Sequence, residues 1–244
     1  MSTLTTGSIR YTSNGIAFTK PKLISDNPNV PRGTNRGKIS GWTWRSCKRL
    51  RETLLQCDYT KPCFGMAITF RAGTLPCQIL KRHADVQRHV SRLPISAVVW
   101  RLEQTRIGTL HYHMIVWADD EMVARNAICR AYEMGGNYYV NASEKNVVRG
   151  LDNRKSICYL AAHQGKRKQY QIVSIDGVRH WGVMGRKNLP LYNFESLKIR
   201  DSSHFYRIMR SYKKFLWTND IGYATIRFDD GRHMSVIKRL TEGY

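Results

Sequence analysis

ISAVVWRLEQ (95–104) and TLHYHMIVWA (109–118) are two apolar runs, rich in β-branched and aromatic residues, separated by TRIG. That is the pattern of a β-hairpin. Side chains at i and i+2 of a strand share a face, so His111 and His113 project together while Tyr112 and Met114 point to the other side. If the chain turns near Ile107, Glu103 falls roughly opposite His111, within reach of cross-strand contact.

Working outward, WTWRSCKRLRETLLQ (42–56) places apolar residues at helical spacing with Arg45, Lys48, Arg49 and Arg51 between them, which predicts a basic amphipathic helix. CFGMAITFRAG (63–73) predicts a buried strand, and CQILKRHADVQRHVSRL (77–93) a helix. DDEMVARNAICRAYEMGG (119–136) has acids in its first turn and glycines at its end, the signals of a helix start and stop. NYYVNAS (137–143) is expected to be a strand, LDNRKSICYLAAHQGK (151–166) a helix capped by Asp152, and VRHWGVM (178–184) a strand. The end of the chain predicts one helix, DSSHFYRIMRSYKKFLW (201–217), then a hairpin from YATIRF (223–228) and RHMSVIKRL (232–240) across DDG. Residues 1–41, rich in Gly, Pro, Asn, Ser and Thr, are expected to be an irregular basic arm. This order predicts an α+β fold with helices packed on a central antiparallel sheet, and three regions: the arm 1–41, a principal domain 42–190 and an extension 191–244.

Forty Lys and Arg against eighteen Asp and Glu leave a net charge of +22 on 244 residues, beyond what solubility requires. The expected partner is a polyanion, nucleic acid or an anionic membrane surface. Thirteen Tyr and six Trp interspersed with the basic residues suit base stacking on a single strand. There is no signal-peptide core and no run of membrane-spanning length, so the expected location is the cytoplasm, with no membrane partner. Cysteines at 47, 57, 63, 77, 129 and 158 show neither a CxxC pair nor zinc-finger spacing and are expected to be reduced thiols. The chain lacks GxxxxGK[ST], so helicase activity would come from a partner.

Two imidazoles and a carboxylate suit a divalent metal with positions left open for water or substrate. Two polar residues on the solvated face of an antiparallel sheet would give the same pattern. In RKSICYLAAHQGK, Ile157, Leu160 and Ala161 form the apolar face, and Tyr159 falls on the other side with Lys155, His163 and, if the helix continues, Lys166. Positive charge favours the phenolate, the form that attacks phosphorus. A surface tyrosine is the plain alternative.

Taken together, LHYHMIVW, RLE and YLAAHQGK resemble the HUH endonucleases, above all the rolling-circle replication initiators of small plasmids and single-stranded DNA phages. MAITF (66–70) is similar to that family's first motif strand, and RHWGVMGR (179–186) to a segment of the phage-type initiators. The resemblance covers roughly residues 42–190 and implies an RRM/palm-like fold. It implies that His111, His113 and Glu103 hold Mg²⁺ or Mn²⁺ and that Tyr159 attacks the scissile phosphate. The product would be a 5′-phosphotyrosyl link and a free 3′-hydroxyl, from which a host polymerase and helicase continue. Lys166, or Arg167 beside it, takes the place of the family's basic residue after the tyrosine.

The third histidine of relaxases has no counterpart here, which favours an initiator. His163 stands where phage-type initiators carry a second tyrosine. Single-stranded or origin stem-loop DNA is the implied partner, with Arg45, Lys48, Arg49, Lys155, His163, Arg167, Lys168 and Trp181 as expected contacts, and Trp42 and Trp44 as further stacking candidates. Two rival readings remain open: a single-tyrosine transposase, and a single-stranded nucleic-acid binder without catalysis.

Overall fold

The computed structural model describes residues 7–21, 42–70, 74–104, 108–133, 147–148, 164, 178–215, 224–228 and 231–241. In chain order the described strands and α-helices are β1 (Gly7–Thr12), β2 (Gly15–Thr19), α1 (Trp44–Gln56), β3 (Cys63–Thr69), α2 (Pro76–His89), β4 (Ala97–Gln104) and β5 (Leu110–Trp117). There follow α3 (Glu121–Glu133), β6 (Val147–Val148), β7 (Trp181–Met184), β8 (Glu195–Ile199), α4 (Ser202–Phe215), β9 (Ala224–Phe228) and α5 (Arg232–Thr241). The expected α+β class with helices packed on an antiparallel sheet is what forms.

The hairpin of β4 and β5 is the middle of a sheet with strand order β6-β3-β5-β4-β7, every described pairing antiparallel. Its two faces are sorted by residue parity. Trp100, Leu102, Tyr112, Met114, Met66 and Ile68 lie on one face and are buried under α2 and α3. Ala97, Val99, Ile115 and Trp117 lie on the other, where Leu50 and Leu54 of α1 cover them. Both faces are covered at that end of the sheet, which is why β4 and β5 read as almost continuous apolar runs.

The helices follow their own patterning. α1 begins after Thr43, whose Oγ1 accepts the Ser46 amide at 3.2 Å, and buries Cys47, Leu50, Leu54 and Leu55 at three- and four-residue spacing. α2 opens on Pro76, where a missing amide hydrogen costs nothing, and buries Ile79, His83 and Val86. His83 lies flat on Tyr112, with ring centroids 4.1 Å apart, and its Nδ1 is 2.6 Å from the Tyr132 hydroxyl oxygen on α3.

Residues 1–41 were expected to be an irregular arm, but 7–12 and 15–19 form the strands β1 and β2, joined by a two-residue turn at Ser13 and Asn14. They pair with strands from the far end of the chain in a second sheet, order β8-β1-β2-β9. The reason is the alternation of Ile9 with Tyr11 and Ile16 with Phe18, which buries Ile9, Ile16 and Phe18 against Phe205 and Ile208 of α4 and Val236 and Ile237 of α5. The arm 1–41 and the extension 191–244 therefore share one sheet. RHMSVIKRL is a second correction, being the helix α5 rather than a hairpin strand. His233, Val236 and Ile237 are buried at i, i+3 and i+4, a helical repeat rather than a two-residue one.

The terminal sheet is fastened to the end of α1. Thr12 Oγ1 donates to the Leu55 carbonyl at 2.7 Å, and Asn14 Nδ2 donates to the carbonyls of Leu55 and Cys57 at 2.9 and 2.7 Å. These are carbonyls that the helix end leaves without intrahelical partners. Ala17 and Leu55, with Phe194 and Phe228, fill the space between. Cys47, Cys57, Cys63, Cys77 and Cys129 are free thiols, and Cys158 lies outside the described residues. Among the described residues no helix is long and apolar enough to cross a membrane. The expected strand 137–143 and helix 151–166 also lie outside them, apart from Gln164.

Candidate metal centre

The register of β4 and β5 sets Glu103 directly opposite His111 and Arg101 opposite His113. On the other flank of β5, Thr69 faces His111 and Ala67 faces His113, so small side chains neighbour the two imidazoles. The three polar side chains lie beyond the part of the face that Leu50 and Leu54 of α1 cover, and their side chains are between 12 and 18% exposed.

His111 Nε2 and His113 Nε2 are 2.9 Å apart, and Glu103 Oε2 is 3.3 Å from His113 Nε2 and 3.7 Å from His111 Nε2. One ligand atom from each residue can be chosen so that all lie within 4.8 Å of one another. Adjacent donors about 2.1 Å from an octahedral ion stand about 3 Å apart, so this spacing fits three neighbouring positions around one divalent cation. Two nitrogens and a carboxylate oxygen form a borderline donor set that leaves further positions open to water or an anionic oxygen. Residues from facing strands, fixed by a ladder rather than a loop, are a rigid support for such a set.

Arg101, two residues before Glu103 on the same face, is fully buried, and its Nε lies 3.0 Å from Glu103 Oε1. Its guanidinium carbon is 4.2 Å from the centroid of the Trp42 ring, and its Nη1 donates to the carbonyl of Gln164. Burial pulls its pKa below the ordinary value while Glu103 opposes the shift, and a guanidinium retains its charge under both effects. The Leu102 amide donates to the His180 carbonyl at 2.8 Å. Burial first, and then the Arg101 charge, lowers the His180 pKa.

The expected metal ligands Glu103, His111 and His113 are thus brought together. Arg45 and Arg49 lie exposed on α1, with Trp44 beside them 37% exposed. Lys48 is half-buried and 3.9 Å from Glu52, the acid that also binds Arg10. Trp181, expected to contact DNA, is half-buried against the core under α1 and faces Arg101 across the β4–β7 ladder. Tyr159, Lys155, His163, Lys166, Arg167 and Lys168 lie outside the described residues.

Arg101 and Gln164 escaped the sequence reading as site residues. The i, i+2 relation of Arg101 to Glu103 was a usable signal, because a cation on the same face as an interior carboxylate demands a partner. The burial of Gln164 had no such signal. No family model, no curated protein and no solved structure matches the chain.

Proposed function

We propose that the protein is a metal-dependent nicking and joining endonuclease of the HUH type, an initiator of rolling-circle DNA replication. The observation that carries the reading is the convergence of Glu103, His111 and His113 on adjacent strands of a buried antiparallel sheet. Gln164 adds to it: five positions after Tyr159 in the chain, it accepts a hydrogen bond from the arginine that pairs with Glu103. The +22 charge, the exposed Arg45 and Arg49 and the exposed Trp44 suit a DNA strand as the substrate.

A bound Mg²⁺ or Mn²⁺ supplies Lewis-acid polarisation of a non-bridging phosphate oxygen. The chain's own groups do the rest. Tyr159 Oη loses its proton and attacks phosphorus, forming the tyrosyl P–O bond as the bond from phosphorus to the 3′-oxygen breaks. The departing oxygen takes up a proton and becomes a free 3′-hydroxyl, while the 5′-phosphate stays on the enzyme. Lys155 and Lys166 steady the leaving side. The phosphotyrosyl ester conserves bond energy, so reversal by a 3′-hydroxyl rejoins the strand.

Incubation with a 3′-labelled single-stranded oligonucleotide carrying a stem-loop, with and without Mn²⁺, tests this. The expected product is a denaturant-resistant, Mn²⁺-dependent protein–DNA adduct. Tight, salt-sensitive binding without any adduct under these conditions means a non-catalytic binder instead, and cleavage confined to transposon-end sequences means the transposase.

A further inference from the structure

We infer that Arg101 is the positioning residue of the metal centre, holding Glu103 so that a single carboxylate oxygen faces the histidines and tying that carboxylate to Gln164. The inference rests on the metal-site reading above and deepens it. The two carboxylate oxygens of Glu103 have different neighbours: Oε1 is 3.0 Å from Arg101 Nε, and Oε2 is 3.3 and 3.7 Å from the Nε2 atoms of His113 and His111. A carboxylate left to rotate would offer either oxygen or both. With Oε1 drawn to the guanidinium, Glu103 presents Oε2 alone, as a one-oxygen ligand.

Each part of the guanidinium has a separate task. Nε meets Glu103, Nη1 donates to the Gln164 carbonyl and the planar face lies 4.2 Å from the centroid of Trp42. Residues 42, 101–103 and 164, distant in sequence, meet around it. A buried cation is costly unless it is paired and hydrogen-bonded, so a side chain with no exposure is retained here for its geometry. Lysine matches the charge but neither the fork nor the stacking plane.

Simple electrostatics and positioning predict opposite signs, which makes the inference testable. A nearby cation repels a bound metal ion, so if charge alone mattered, Arg101→Met would tighten Mn²⁺ binding. If Arg101 positions Glu103, the same change weakens it. We expect Mn²⁺ titration of the full chain, followed by calorimetry and by the electron paramagnetic resonance of free Mn²⁺, to show Kd raised about tenfold to a hundredfold in Arg101→Met. Arg101→Lys weakens Mn²⁺ less, and at saturating Mn²⁺ forms the DNA adduct on the order of tenfold more slowly than the wild type because the hold on Gln164 is lost.

A Kd for Mn²⁺ unchanged or lowered in Arg101→Met overturns the inference. Should that variant not fold, the ¹⁵Nε–¹Hε resonance of Arg101 in the wild type decides, assigned by its loss in Arg101→Lys. A slowly exchanging signal that shifts on Mg²⁺ addition is expected, and a fast-exchanging one indifferent to Mg²⁺ overturns the inference. Wild-type protein that binds no Mn²⁺ removes the metal-site reading and this inference with it. Wild-type protein that binds Mn²⁺ but forms no adduct removes only the endonuclease reading, and the Mn²⁺ measurements still judge Arg101.

Discussion

His111 Nε2 and His113 Nε2 approach to 2.9 Å on one face of β5, with Glu103 Oε2 of the neighbouring strand 3.3 Å from the second of them. At that distance two imidazole nitrogens need a shared proton or a cation between them, because two lone pairs cannot face each other at hydrogen-bond range.

Mn²⁺ is therefore expected to stabilise the protein. At a hundredfold excess over Kd, binding to the folded state alone adds about 2.7 kcal/mol, or about 5–10 °C in Tm for a chain of this size. His113→Ala is expected to fold and to lose the Mn²⁺-dependent rise. Differential scanning calorimetry with Mn²⁺ and with EDTA checks both, and an equal rise in the variant would place the bound ion elsewhere.

His83 gives a prediction in pH. Burial against Tyr112 and Trp100 lowers its pKa from 6.5 to about 3. Below pH 6.5 the unfolded chain therefore binds a proton that the folded chain refuses. The stability this side chain contributes is present above pH 6.5 and is lost as pH falls toward 3, by at most about 1.4 kcal/mol per pH unit. His83→Phe, which keeps an aromatic ring on Tyr112, is expected to be less stable at pH 7 for want of the Tyr132 contact but to decline less steeply in acid. Urea unfolding from pH 7.5 to 4.5 measures the two slopes, and parallel curves would contradict the assignment.

Asn14 tests whether the terminal sheet supports the central one. Its Nδ2 donates to two carbonyls at the end of α1. Asn14→Ala leaves buried acceptors without that donor and is expected to cost about 1–3 kcal/mol. A single transition by fluorescence and by circular dichroism, lowered in the variant, is the expected result. Separate transitions would show that the terminal sheet unfolds independently.

Much of the central sheet was legible because its signals are local. The two apolar runs ISAVVWRLEQ and TLHYHMIVWA, four residues apart in the sequence, predict the pairing, and with it the placing of Glu103 opposite His111. Interactions between distant segments were not legible. GSIRYT and GIAFT are short, the first is diluted with polar residues, and their partner strands lie near the other end of the sequence, at 195–199 and 224–228. RHMSVIKRL misled because DDG resembles a hairpin turn, although the buried spacing of His233, Val236 and Ile237 was helical. Arg101 sits in a run whose polar reading stopped at Glu103, and its role depends on Trp42 and Gln164, which no window of sequence places beside it.

Tyr159 is where the chemical proposal is most exposed. Tyr159→Phe is expected to bind a single-stranded stem-loop oligonucleotide as tightly as the wild type, since the basic surface is unchanged. For the same reason both should lose affinity in parallel as salt rises. Fluorescence anisotropy across a salt series checks this, and a selective loss of affinity in the variant would make the tyrosine a contact for binding rather than a nucleophile.

The most direct test of the central claim is mass spectrometry of the protease-digested protein–DNA adduct formed in Mn²⁺. The account predicts a nucleotide 5′-phosphate on the peptide containing Tyr159, lost in Tyr159→Phe and in His111→Ala. An adduct on another residue, or one that forms equally well without Glu103, His111 and His113, would contradict it.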